Sequence, residues 1–177
     1  MKSIIVLFLN LVSLLFSQSV SQIEPYKKLP QAYKYYLETD YEAAIEAFKK
    51  RKETHITLYN IAFLYYLKGD FNKSLEYTDK SIKDDNGFAW SYYLSALNYR
   101  KLNQQQKAIT YFKLAIDEDD DQSKFFFELA DTYRSEKQLD AAIENYREGL
   151  NIKPDEAAYQ VKLARLLIET KKADKKE

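Results

Sequence analysis

Cysteine is absent from this chain of 177 residues, histidine and tryptophan occur once each, and glycine and proline three times each. Without cysteine there are no disulfides, no thiolate metal sites and no lipid-bearing cysteine of a bacterial lipoprotein signal. A lone His55 cannot build a histidine metal cage or a histidine dyad within one chain, and its place between two segments predicts a surface role. Few glycines exclude a dinucleotide fingerprint; there is also no G-x-x-x-x-G-K-[ST] loop and no G-x-S-x-G elbow. Neither sign of charge is in excess, with 27 basic and 27 acidic residues. That balance argues against nucleic-acid binding, which rests on net neutralisation of phosphates. The composition therefore points away from an enzyme and away from any cofactor.

The N-terminus, MKSIIVLFLNLVSLLFSQSVSQ, has Lys2, an apolar run from Ile4 to Phe16, and small residues Ser19 and Ser21. It reads as a secretory signal over residues 1–21, with cleavage near Ser21. The apolar run is shorter than the roughly 20 residues of a spanning helix, so no stable membrane insertion is expected after cleavage. Such a leader predicts secretion across the inner membrane to a periplasmic or extracellular location. Cleavage leaves 26 basic against 27 acidic residues.

What is abundant is Ala, Leu, Lys, Glu and, above all, tyrosine, with 16 copies beside ten phenylalanines. Scarce breakers and many helix formers predict an all-helical chain. The stretch LYNIAFLYYLKGDFNKSLEYTDKSI, Leu58 to Ile82, shows how it is punctuated. Leu58, Ile61, Ala62 and Tyr65 fall on one helix face. Gly69 then reads as a left-handed helix stop, and Asp70 as the acceptor that starts the next helix.

A shift of 34 residues superposes Leu58, Tyr92 and Phe126; Ala62, Ala96 and Ala130; and Tyr65, Tyr99 and Tyr133. The second half of each unit repeats too: Ser74, Ala108 and Ala142; Thr78, Phe112 and Tyr146; Ser81, Ala115 and Gly149. This period and its order of large, small and aromatic residues resembles the tetratricopeptide repeat, most fully in Phe126, Leu129, Ala130, Tyr133, Ala142, Tyr146 and Pro154.

The resemblance implies an all-α, right-handed superhelical solenoid of about four helix hairpins and a C-terminal capping helix. A repeat domain is expected over residues 22–170, with repeats at about 25–54, 55–88, 89–122 and 123–156, a cap helix at 157–170, and a disordered basic tail at 171–177. Repeat one is short and carries Pro30, so its first helix should begin near that proline. Repeat two has Ser74, Thr78 and Ser81 where its neighbours have Ala or aromatics, and its second helix is expected to pack least well. The cap helix should turn Val161, Leu163, Ala164 and Leu167 toward repeat four.

In such arrays positions 2, 5, 9 and 12 of each first helix line a concave groove. By that resemblance the groove consists of Ile56, Tyr59, Phe63 and Tyr66 in repeat two, and Trp90, Tyr93, Leu97 and Arg100 in repeat three. Repeat four adds Lys124, Phe127, Asp131 and Arg134, and repeat one Tyr33 and Tyr36. Aromatic residues dominate one half and mixed charge the other, a composition suited to a protein or peptide partner. Tyr59 and Tyr93 are open to either packing or contact. The lysine, asparagine and arginine clamp that some of these proteins use to grip a chaperone's C-terminus is absent. The expected function is therefore a non-enzymatic scaffold or assembly factor of the periplasm or envelope; the alternative is a structural homo-oligomer using the same groove.

Two further motifs carry little. Asp117, Asp119, Asp121 and Glu128 have calcium-loop spacing, but Gln122 stands where such a loop needs glycine and a helix is expected from Ser123. Asn72-Lys73-Ser74 fits a glycosylation acceptor at the start of an expected helix.

Overall fold

The computed structural model describes residues 35–36 and 39–174. The leader, Pro30, Tyr33 and the last three residues lie outside them. Among the described residues there is no strand, and no helix is long and apolar enough to cross a membrane. Eight helices are described: α1 Tyr41–Lys49, α2 His55–Leu67, α3 Phe71–Asp84, α4 Ala89–Lys101, α5 Gln105–Glu118, α6 Ser123–Ser135, α7 Leu139–Ile152 and α8 Ala157–Asp174.

The chain divides into two compact units, residues 1–52 and 53–177. In the first, α1 is opened by Asp40, whose carboxylate accepts the Ala43 N–H at 3.0 Å. It buries Ala44, Ile45 and Phe48 along one stripe.

The second unit is built from three hairpins, α2/α3, α4/α5 and α6/α7, with α3 packed on α4, α5 on α6 and α7 on α8. The helices α2, α4, α6 and α8 begin at residues 55, 89, 123 and 157, one period apart. A hairpin alone leaves one side of its apolar surface wet, so each is completed by the next.

One turn recurs inside every hairpin. Gly69, Asn103 and Lys137 all have positive φ, at 80°, 57° and 60°. In each turn two crossed bonds close the first helix: Gly69 N–H to Tyr66 O at 3.0 Å and Asp70 N–H to Tyr65 O at 3.0 Å in the first hairpin. The same pair recurs from Asn103 and Gln104, and from Lys137 and Gln138. This is the Schellman closure, which needs a left-handed residue just past the helix. Asp70 then accepts the Lys73 N–H at 3.1 Å and opens α3.

The hairpin cores are small-against-large. Ala62, Ala96 and Ala130 are wholly buried, and so are Phe112 and Tyr146 opposite them. Burial of each of those rings contributes roughly 1.5–3 kcal/mol. Gly149 has no Cβ for a reason: one added there would lie 2.4 Å from Cε1 of Phe127.

Two expectations are corrected. The second helix of repeat two is not loosely packed: Ser74, Thr78 and Ser81 are fully buried and hydrogen-bonded across to α4. Asn98 Nδ2 donates to Ser74 Oγ at 2.8 Å, Ser95 Oγ donates to Thr78 Oγ1 at 2.7 Å, and the Ser81 and Ser91 hydroxyls are hydrogen-bonded to each other at 2.7 Å. Small side chains here are matched by hydroxyls and an amide on the facing helix. The cap helix is held by Leu166, which is 1% exposed, whereas Val161 is 49% exposed and Ala164 is open to solvent. It also runs on to Asp174, past the Thr170 end expected of it.

His55 ties α2 to the end of α3. Its backbone N–H donates to Asp84 Oδ2 at 2.6 Å, and its ring nitrogens lie 3.5 Å from the Asp84 and Asp85 carboxylates.

Candidate functional site

The candidate face is carried by α2, α4 and α6, whose 34-residue register sets equivalent side chains side by side. The hairpin cores use positions 4, 7, 8 and 11 of these helices, leaving positions 2, 5, 9 and 12 for the other face. The fourteen residues expected there separate into groups. Ile56, Phe63, Tyr66 and Trp90 are partly exposed, and Lys124 and Arg134 are exposed. Tyr59, Tyr93, Leu97 and Phe127 are buried, at 9% exposure or less. Tyr36 is buried within the first unit, with its ring 6.4 Å from that of Tyr41; Tyr33 is outside the described residues.

Burial of Tyr93 and Phe127 follows from contact across repeats. Tyr93 stacks on Phe125 of the next hairpin with centroids 4.9 Å apart, and Trp90 meets the same ring edge-on at 5.1 Å. Phe127 stacks on Tyr159 of α8 at 3.7 Å. Position 3 of α6 and of α8 thus covers position 5 of the helix before, whereas Tyr59 is met edge-on at 5.4 Å by Phe88, the residue just ahead of α4. Tyr59 and Tyr93 are therefore packing residues, and burial raises both of their pKa values above the usual tyrosine range.

What stays open is an aromatic row. Phe63 lies parallel to Tyr59 and to Tyr66, with centroids 6.4 and 6.5 Å away, because residues three and four apart share a helix face. Tyr66 in turn leans on Phe71 at 5.8 Å. Partial burial raises the Tyr66 pKa, with Arg100 opposing the rise and Glu128 adding to it.

The other half of the face carries a ladder of ion pairs. Arg100 of α4 meets Glu128 of α6 at 2.7 Å, and Asp131 of α6 meets Lys162 of α8 at 2.6 Å. The Tyr146 hydroxyl also donates to Asp131. Position 6 of the following helix supplies one partner in each rung. Arg100 and Asp131, both among the expected groove residues, are thus already engaged within the fold. Lys124 sets its ammonium 5.3 Å from the centre of the Tyr93 ring. Glu128, the last residue of the calcium spacing, lies in a helix and holds Arg100; among the described residues no cluster of metal ligands is found.

Four residues of the face escaped sequence reasoning: Phe125, Glu128, Tyr159 and Lys162. All sit at positions 3 and 6, which the hairpin pattern leaves unassigned. The signal available was their chemistry: an aromatic at 125 and 159, and a charge at 128 and 162 opposite in sign to Arg100 and Asp131.

The comparisons agree with this architecture. Residues 91–122 and 123–156 match the tetratricopeptide repeat family model. No curated protein matches the sequence. Among solved structures, a crystal structure of MamA protein shares 23% identity at a TM-score of 0.72, covering 86% of this chain and 85% of that one. MamA from Desulfovibrio magneticus RS-1, residue 41 to the end, shares 17% at 0.69, covering 84% and 85%. The first tetratricopeptide domain of Spaghetti (RPAP3), solved bound to the HSP90 peptide SRMEEVD, shares 15% at 0.63, covering 68% and 95%. At these identities the likeness is one of fold: an all-helical tetratricopeptide solenoid.

Proposed function

We propose that this chain is a non-enzymatic scaffold or assembly factor that holds a segment of another protein on the face formed by α2, α4 and α6. The observation that carries this is the row Ile56, Phe63, Tyr66 and Trp90: none is needed by a hairpin core, yet all lie on one face and all keep exposed surface. Aromatic residues in that state are what binding hot spots use. The Spaghetti domain, similar in fold, was solved with a peptide bound. Without the clamp residues the partner here is held by apolar contact first. The apolar, singly charged leader supports export, so the partner would be met in a periplasm or outside the cell.

Photo-crosslinking in cells from position 66, with a second probe at position 90, tests this directly. A recurrent foreign protein among the adducts, lost on Trp90→Ala, is the expected result. Adducts only to this chain would favour the homo-oligomer, for which the exposed Val161 and Ile168, at 49% and 55%, offer apolar surface on α8. No adduct from either probe would sink both.

A further inference from the structure

We propose that the segment bound on this face is acidic as well as apolar, with its carboxylates settling on Lys124 and Arg134. This rests on the reading above and adds the partner's charge to it.

The face has two chemistries in sequence. At the α2 end Ile56, Phe63 and Tyr66 carry no charge, and Trp90 continues the row onto α4. Beyond it stand four cations, Arg100, Lys124, Arg134 and Lys162, against only two carboxylates, Glu128 and Asp131. The whole chain has zero formal net charge, so this excess is local to the face.

Both carboxylates are spent internally, Glu128 on Arg100 at 2.7 Å and Asp131 on Lys162 at 2.6 Å. Each rung joins one first helix to the next, which makes it a fastening between repeats. Lys124 and Arg134 take part in neither rung and form no ion pair among the described residues. They lie on α6, ten residues apart, close to three helical turns, and both are exposed. Lys124 hangs over the Tyr93 ring, and Arg134 lies beside the Tyr146 hydroxyl. Two carboxylates spaced about 15 Å apart along a bound segment would each gain one cation, since ten helical residues separate the pair; Glu128, committed to Arg100, is the internal acid that also acts on Lys124. A basic segment would meet the same cations and be repelled, which gives the face discrimination as well as affinity.

The test uses the full mature chain. A random twelve-residue peptide library is panned on it, and selected peptides are resynthesised and titrated by fluorescence anisotropy. Three proteins are compared: wild type, Lys124→Glu/Arg134→Glu and Phe63→Ala/Trp90→Ala, each checked for helix content. Selected peptides should combine Asp or Glu with aliphatic or aromatic residues. Charge reversal should weaken them at least tenfold, and added salt should weaken wild-type binding progressively. Neutral or basic peptides that bind, or acidic ones that bind the charge-reversed protein within twofold of wild type, overturn the acidic proposal. If those peptides still lose affinity in the Phe63→Ala/Trp90→Ala protein, the face itself stands. Acidic peptides that bind all three proteins equally, or a library that yields none, overturn both readings.

Discussion

Replacing Gly149 by alanine should destabilise this protein, against the usual direction for an interior helix position. Gly149 lies inside α7, where exchange of glycine for alanine normally stabilises by about 1 kcal/mol through backbone entropy. The new Cβ would lie 2.4, 2.6 and 3.0 Å from Cε1, Cδ1 and Cζ of Phe127. Ordinary contact begins near 3.4 Å, so the ring must move by about 1 Å. It is not free to do so, since Phe127 is 2% exposed and stacked on Tyr159 with centroids 3.7 Å apart. Overpacking of this kind costs about 1–3 kcal/mol. After the helix gain is set against it, a net loss of about 0–2 kcal/mol is expected, and a Tm lower by up to several degrees for a chain this size. Thermal and urea unfolding followed by far-UV circular dichroism would read it. Phe127→Leu should remove the clash, so the double variant Phe127→Leu/Gly149→Ala should be more stable than the two single effects added together. A rise in Tm for Gly149→Ala, or strict additivity in the cycle, would refute the account.

Three other outcomes follow from the same reasoning. Lys137 holds a left-handed φ of 60° on the surface, a conformation costing a non-glycine residue about 1–2 kcal/mol, so Lys137→Gly should stabilise by roughly 0.5–1 kcal/mol in urea unfolding once glycine's chain entropy is deducted. Asn60 is fully buried with neither side-chain polar atom hydrogen-bonded, while the equivalent position one repeat on is Leu94; Asn60→Leu should therefore raise the unfolding free energy by about 1–3 kcal/mol in urea titration, and a fall would show that the amide has a role the fold needs. Burial favours the neutral phenol in Tyr59, Tyr93, Tyr111 and Tyr159, the last two pushed up to about 12. Their folded pKa values thus exceed the unfolded value near 10; the stability they lend is complete below pH ~10 and is lost as pH rises through 12. A tyrosinate titration should show an early class near pH 10 and a late class that appears only with loss of helix; one class titrating with helicity intact would contradict it.

Much of the architecture was legible because the period is visible in single residue types. Alanine at 62, 96 and 130 and tyrosine at 65, 99 and 133 fix where hairpins begin, and Gly69 marks the turn within one. The turn chemistry was legible only once: Asn103 and Lys137 adopt the same left-handed conformation as Gly69 without advertising it, because two flanking hydrogen bonds enforce the geometry. The face was half legible. Positional analogy proposes which residues point outward from a helix, but burial there is decided by the next repeat, through Phe125 over Tyr93 and Tyr159 over Phe127. Such pairings lie about one repeat apart and follow no local periodicity.

The seam between α3 and α4 shows why a polar substitution can be misread as weakness. At the next seam the equivalent positions are Ala108, Phe112 and Ala115 against Phe125, Leu129 and Thr132, and apolar packing joins the repeats. Here serines and a threonine face serines and an asparagine. Thr78 accepts from Ser95, and its own hydroxyl donates to Leu75 O at 3.0 Å. Ser81 donates to the His55 carbonyl at 2.7 Å, which leaves Ser91 as the donor to Ser81. Asn98 spends both amide protons, on Ser74 and on Leu94 O, and only its Oδ1 lacks a partner. Each such bond contributes only about 0.5–1.5 kcal/mol net, less than burial of a ring in the same place. Removing one partner, however, strands a buried hydroxyl at a cost of about 1–3 kcal/mol. The seam is thus weakly attractive but strongly selective. Sliding α3 by one residue along α4 would break all three pairings together, whereas Phe112 against Leu129 could adjust by repacking. Since Phe63 and Tyr66 stand on one side of this seam and Trp90 on the other, the pairing that fixes its register also fixes the spacing of the aromatic row.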